Sequence, residues 1–420
     1  MNHIKPIIVI VLLLASTILQ AKDVVVPRNT KKAVNVMQES GVRYIIKKKI
    51  NLKGQTLIIP QNCTLVFEGG KFIKGTIRGN FTAVENTEKN VFTNCTIEGS
   101  WNCHSSNSRM FDSKMEASKL LLNLSALSEK VFLYADREYL INRDDLTLAC
   151  SSISSAKEAM AIIQFRTLNT NKCGILFSAQ EVEISNLIFK DDFEKNGEKF
   201  TDNDHRDGST LGTMVPKGRV QKVLIHDCIF EGGTFSSYFA SSTTKECIVE
   251  NCVFEGYMAD HAVYCSTNIE RFSIKNTTLQ NVPNTTGLFK VRTSRRLQEF
   301  KLDSLNVRNL NGYLAVVELM PSNAIISISN VDVSKDDDKD YQCYGVCIVK
   351  DIRDGNKGNT IDAKSIVFEN CRFNYGYPGH PLIARGSGVK VTTDTIVYKN
   401  VMVKDLTLTG GIAKKRTVIE

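Results

Sequence analysis

Aromatic residues are scarce in this 420-residue chain, at 8% with a single Trp. A core must therefore be assembled from Ile, Val, Leu, Phe and small residues, which favours strands. Proline is rare too, at 8 residues against 26 Gly, which excludes a collagenous or Pro/Gly low-complexity chain. With 42% hydrophobic residues and a net charge of +8, a disordered chain is excluded as well. No Cys-x-x-Cys pair and no His-rich cluster is present, which argues against a zinc site. Past the N-terminus no apolar run approaches the roughly 20 residues of a membrane-spanning helix, so no membrane span is expected.

What is there begins with Lys5, an apolar run from Ile7 to Ala15, and Ala21 before Lys22-Asp23. This pattern predicts a secretory signal peptide over 1–21 and a periplasmic or extracellular product. No Cys follows the cleavage point, since the first is Cys63, so a lipid anchor is not expected there. The moderately basic balance of an exported chain suits an anionic ligand, and an anionic polysaccharide rather than a nucleic acid is the expected partner. A monomer is expected.

Twelve Cys in an exported chain would ordinarily suggest disulfides. Their frames point elsewhere: Asn94-Cys95-Thr96-Ile97-Glu98-Gly99, Asp227-Cys228-Ile229-Phe230-Glu231-Gly232, Asn251-Cys252-Val253-Phe254-Glu255-Gly256 and Asn370-Cys371-Arg372-Phe373. Stacked repeats would bring these thiols into one column as buried, reduced filler. Cys343 with Cys347, or Cys247 with Cys252, remain candidate pairs. Successive repeats begin near Val223, Val249, Ile274, Leu302, Ile328, Ile366 and Tyr398, and Phe230 to Thr243 matches Phe254 to Thr267 without a gap. Short alternating strands at such a period predict a solenoid of stacked strands, so that 22–420 is one domain despite its length.

A solenoid has open ends that need caps. Lys31 to Ser40, with Ala33, Val34 and Met37 at helical spacing, is a candidate capping helix within an N-terminal cap of about 22–50. Ser113 to Ser128 is a second helical stretch that interrupts the coil. The segment 190–219 reads as a long, densely charged insertion, and loops of that length are commonly functional.

The run Thr64-Leu-Val-Phe-Glu-Gly-Gly-Lys-Phe-Ile-Lys-Gly-Thr-Ile-Arg-Gly-Asn80, followed by the frames ending in Phe-Glu-Gly, resembles the right-handed parallel β-helix proteins of the pectate-lyase-like superfamily. The secreted versions common in gut Bacteroidetes are the nearest in kind. The resemblance covers nearly the whole chain after the signal peptide. It implies an all-β, right-handed parallel β-helix and a carbohydrate-active protein, chiefly a polysaccharide lyase. These are turn signatures, and fold alone does not define function.

A uronic-acid lyase must neutralise a carboxylate, remove the acidified proton beside it and protonate the leaving oxygen. Aligning Asp260-His-Ala-Val-Tyr-Cys-Ser266 with Leu288-Phe-Lys-Val-Arg-Thr293, Val263 and Phe289 inward, turns Tyr264, Lys290 and Arg292 outward. In the same register Glu318 is expected beside Arg292, Lys350 beside Glu318 and Arg385 beside Lys350. Lys290 and Arg292 are then the candidate carboxylate-binding pair, with Tyr264 or His261 exchanging protons and Glu318, Lys350 and Arg385 contacting substrate. The pair is similar to that of the chondroitinase B-like lyases in residue type alone, and the charges read equally as a surface salt-bridge ladder. In the insertion, His205 and Arg206 can wall a cleft. Asp202, Asp204 and Asp207 are weak Ca²⁺ candidates whose spacing departs from the EF-hand loop; no cofactor is otherwise expected. His226 and His380 read as structural, and Tyr375 and Tyr377 as a turn or a sugar platform.

The expected function is a secreted polysaccharide lyase acting by β-elimination on a uronic-acid polymer, preferably a glycosaminoglycan such as chondroitin, dermatan or hyaluronan. A β-helix glycoside hydrolase is an alternative, although the paired-Asp and Gly-His-Gly pattern of polygalacturonases is absent. A non-catalytic glycan-binding surface protein is the other.

Overall fold

The computed structural model describes residues 21–419 apart from 88–89, 166–172, 192–208, 214–219, 234–235, 241–242, 259–260, 266–268, 286, 295, 320–322, 342, 350–359, 374–381, 386–389 and 403–411. The described chain is mostly strand, with two α-helices and one 3-10 turn. Every pair of strands is parallel, and the pairing falls into two N-terminal sheets and one long sheet.

In the long sheet a strand pairs with the one three places earlier, so that three stacks build up side by side. The first runs Lys130–Leu133, Ser152–Ser155, Glu181–Ser185, Lys222–His226 and Glu246–Glu250. The second runs Tyr139–Ile141, Ala161–Phe165, Leu187–Asp191, Ile229–Gly233 and Val253–Met258. The third runs Leu146–Leu148, Cys173–Phe177, Ser209–Thr213, Ser236–Ala240, His261–Cys265 and Phe289–Ser294. Ser209–Thr213 lies inside the segment read as an insertion, so part of that segment belongs to a stack. From Arg271–Thr285 onward the first and second strands of a repeat merge into one long strand with a bend.

The bend explains the Asn/Asp-Cys frame. Asn186, Asp227, Asn251, Asn276, Ser304, Asn330, Asn370 and Asn400 all have positive φ, between 48° and 57°. Asn and Asp tolerate this region better than other residues with a side chain. Their side chains also join successive repeats: Asn370 Nδ2 donates to Asn330 Oδ1 at 3.1 Å and Asn400 Nδ2 to Asn370 Oδ1 at 2.9 Å. The next residue turns inward, and its thiol donates to the carbonyl two residues back: Cys228 to His226 at 3.3 Å, Cys252 to Glu250 at 3.2 Å, Cys371 to Glu369 at 3.3 Å. Thr277 makes the same bond with a hydroxyl, to Lys275 at 2.9 Å. Cys95 is not in this column. It lies in an N-terminal sheet opposite Gly75.

Cys247 and Cys252 are free thiols, so the pairing between them left open from the sequence is not formed, while the side chain of Cys347, the candidate partner of Cys343, is outside the described set. Burial pushes the Cys95 and Cys150 thiols up to about 12 and Cys371 to about 11, which keeps them protonated and inert.

Inside, aromatic rings from successive repeats stack: Phe189 on Phe230 at 5.0 Å, Phe230 on Phe254 at 4.8 Å, Phe272 on Phe300 at 5.0 Å and Phe368 on Tyr398 at 5.5 Å. Each such pair adds about 0.5–1.5 kcal/mol beyond its buried area. The scarcity of aromatics is thus offset by placing them in register.

Two readings of the repeat are corrected. The ungapped 24-residue match holds for Phe230 opposite Phe254, but the register slips after Glu231, placing Tyr238 opposite Val263, one residue later. The repeat starts equivalent to Val249 are Ile225 and Phe368, two residues beyond Val223 and Ile366.

Helix α1 (Thr30–Val36) starts at Asn29, whose side chain accepts from the Lys32 amide at 3.2 Å, and buries Ala33; it is shorter than Lys31 to Ser40. Helix α2 (Ala117–Leu127) buries Leu120, Leu121, Leu124 and Leu127 between Phe92–Trp101 and the start of the long sheet.

Candidate functional site

The third stack carries the residues singled out for chemistry. Val263 pairs with Phe289 and both are wholly buried, so Tyr264 and Lys290 are directly opposite one another on adjacent strands, as the alignment required. The Lys290 ammonium stands 5.5 Å from the centroid of the Tyr264 ring, a cation–π contact. The His261 ring is 5.1 Å from that of Tyr264, tilted by 38°.

His261 has no exposed surface, and its Nδ1 lies 2.6 Å from the Gly287 carbonyl oxygen. A carbonyl only accepts, so Nδ1 carries a proton, and in the neutral ring the lone pair is on Nε2. Gly287 is itself fixed, because a Cβ there would overlap the Val316 side chain. Val316 pairs with Lys290 on the side away from Tyr264. Lys290 thus sits between a phenol ring and a branched aliphatic side chain, with Tyr264 6% and Val316 5% exposed. The alignment expected Tyr264 to face outward; instead its ring is buried beside the half-buried Lys290, so the ammonium is the more accessible of the two groups.

The remaining ladder differs from expectation. Pairing runs in step to Val291 opposite Val317 and then slips, with Ser294 opposite Leu319, so Arg292 and Glu318 fall at the slip. Glu318 pairs with Val349, and Val349 with Arg385, so Lys350 is opposite neither. The expected run of Glu318, Lys350 and Arg385 on one line is replaced by Glu318, Val349 and Arg385. The backbones at Arg292, Glu318 and Arg385 lie in strands, and their side chains are outside the described set. Lys350, His205, Arg206, Asp202, Asp204, Asp207, Tyr375, Tyr377 and His380 lie outside the described residues.

A column rich in alternating charge does exist, on the first stack instead: His226, Glu250, Lys275, Asp303, Ser329, Glu369 and Lys399 follow one another in register. Lys399 pairs with Glu369 at 2.8 Å. Exposed pairs of this kind contribute little each. At its head His226 is held at both nitrogens, Nδ1 2.8 Å from Asp227 Oδ2 and Nε2 3.0 Å from Glu183 Oε1, with Lys157 3.8 Å from Asp227. Burial lowers the His226 pKa, but the two carboxylates outweigh it and leave it raised. The hydrogen bond from His226 holds Asp227 below its ordinary range. Sequence reasoning missed this clamp, since Glu183 is 43 residues away.

No group of three or more His, Cys, Asp or Glu side chains suited to a metal ion occurs among the described residues, and none of their helices is long and apolar enough to cross a membrane. Comparison with family models, curated proteins and solved structures gives no match to this chain.

Proposed function

We propose that the chain is a right-handed parallel β-helix, three strands to a turn, and a secreted polysaccharide lyase that cleaves a uronic-acid polymer by β-elimination. Strands that pair with every third predecessor, with a column of positive-φ residues at one bend, support the coil. The observation that carries the activity is the Lys290 ammonium over the Tyr264 ring, one strand away, with His261 packed behind.

In this reading Lys290, with Arg292 two residues on, neutralises the substrate carboxylate, which acidifies the neighbouring C–H. Tyr264 exchanges the proton. The C–H pair becomes the new C=C bond as the C–O bond to the departing sugar breaks, and the leaving oxygen takes up a proton. His261 is too deeply buried to touch substrate, so it serves as a positioning residue for Tyr264, fixed through Gly287. A net charge of +8 favours a glycosaminoglycan such as chondroitin, dermatan or hyaluronan. The apolar start of the chain supports export to the periplasm or beyond.

Single substitutions test the assignment. Lys290→Met and Tyr264→Phe should each lower the rate of unsaturated-product formation by roughly 10²-fold or more with folding retained. A merely graded loss of polymer affinity, with no catalysis to lose, assigns the face to glycan binding instead.

A further inference from the structure

Three successive bends of the N-terminal sheets are equivalent. Arg43, Thr64 and Ala83 are in register, and two residues before each stands Gly41, Asn62 and Phe81. All three have positive φ, at 70°, 58° and 51°. Gly41 N donates to Gln61 O at 2.9 Å, Asn62 N to Asn80 O at 3.0 Å, and Phe81 N to the Ser100 hydroxyl at 3.2 Å. Glycine and asparagine are what this backbone calls for, and a bulky side chain here is strained. Phe81 is the one aromatic at positive φ among the described residues. Core packing does not account for it, because Phe81 is 50% exposed.

Its surroundings have a coherent chemistry. Trp101, the single Trp of the chain, follows Ser100 and lies across Gly79, where a Cβ would come within 2.5 Å of indole Cε2. The indole Nε1 donates to the Glu98 carbonyl at 2.8 Å, which fixes the ring. Ile58, Arg78 and Glu98 form the adjoining outward column, with Ile58 63% exposed. Arg78 Nε and Nη2 donate to Glu98 Oε2 at 3.2 and 2.7 Å. The other carboxylate oxygen and the remaining guanidinium N–H groups supply an acceptor and donors at a half-exposed surface.

We propose that Phe81 and Trp101, with Arg78 and Glu98, form a glycan-binding platform for pyranose units of a polysaccharide, in a different sheet from Tyr264 and Lys290 and independent of any catalysis there. A pyranose offers an apolar C–H face to an aromatic ring and hydroxyls that both donate and accept. A side chain fixed in a strained, exposed position without burial is what a binding surface needs and what a purely structural bend does not.

The single tryptophan makes the test direct. Emission of Trp101 in the full chain is followed during titration with oligosaccharides of chondroitin, hyaluronan, alginate and polygalacturonate. A saturable change with at least one of them is expected. Phe81→Asn, which installs the residue used one bend earlier, should raise Tm yet weaken that binding about tenfold or more. The saturable change should persist in Lys290→Met, in which turnover of the glycan is abolished, separating this site from the lyase assignment. The proposal is overturned by no saturable change with any of the four glycans, by Phe81→Asn binding as tightly as the parent, or by Phe81→Asn lowering Tm, which would make the ring structural. Emission that responds to phosphatidylcholine vesicles and not to glycans overturns it as well.

Discussion

At the scale of the residue, Gly287 is the least conspicuous member of the candidate site and the one with the tightest constraint. Its carbonyl holds His261 Nδ1 while its missing side chain leaves room for Val316, which flanks Lys290. Gly287→Ala should therefore destabilise by about 1–3 kcal/mol in urea unfolding, through overpacking against Val316. An unchanged midpoint would show that the contact relaxes freely. His226 supports a second prediction, with a sign. Its folded pKa is raised, so the stability it contributes is full below the unfolded value near ~6.5 and is lost as pH rises through the folded value. Asp227 is lowered, so its share is full above the unfolded value near ~3.9 and lost as pH falls through the folded one. His226→Gln should thus destabilise more at pH 5 than at pH 9, measured by urea midpoints of both proteins. Equal gaps at the two pH values would remove the ion-pair account. Tyr264 and Lys290 were legible in the sequence because strand alternation and one short alignment place them. The His226 clamp was not, because a partner brought in by stacking leaves no local trace.

At the scale of the element, α2 closes the open side of Phe92–Trp101 by imitating a strand. Asn123 Nδ2 donates to the Cys95 carbonyl at 3.0 Å, and its Oδ1 accepts from the Ile97 amide at 2.9 Å. One residue of a parallel neighbour would make the same two bonds. The side chain is buried, so Asn123→Leu leaves a donor and an acceptor without partners, and about 2–4 kcal/mol should be lost. Denaturant midpoints check this, and a loss below about 0.5 kcal/mol would mean that water replaces the amide. The helix itself was readable from its apolar spacing, whereas its role as a surrogate strand was not. Register was readable where consecutive frames keep their length, as from Phe230 to Phe254. It was lost where a repeat slips by a residue, after Glu231 and between Val291 and Ser294; the Glu318 line was missed by one residue without any slip, since pairing runs in step from Gly312 opposite Cys343 to Glu318 opposite Val349.

At the scale of the whole molecule, stability is spread along columns rather than centred on one site: stacked rings inside, Asn side chains at the bend, charges outside. Such a scaffold tolerates slips between repeats because each repeat answers chiefly to its neighbours. It also carries two candidate sites with different chemistry, the Tyr264–Lys290 pair on the third stack and the Phe81–Trp101 corner near the N-terminus. The central claim is that the first of these performs β-elimination. The direct measurement is absorbance near ~232 nm, where a conjugated unsaturated uronate absorbs, as the purified protein acts on chondroitin, dermatan, hyaluronan, alginate and polygalacturonate; elimination creates that chromophore and hydrolysis does not. The account predicts a steady rise with a glycosaminoglycan, abolished by Lys290→Met. New reducing ends without any rise, or no reaction with any polymer, would contradict it.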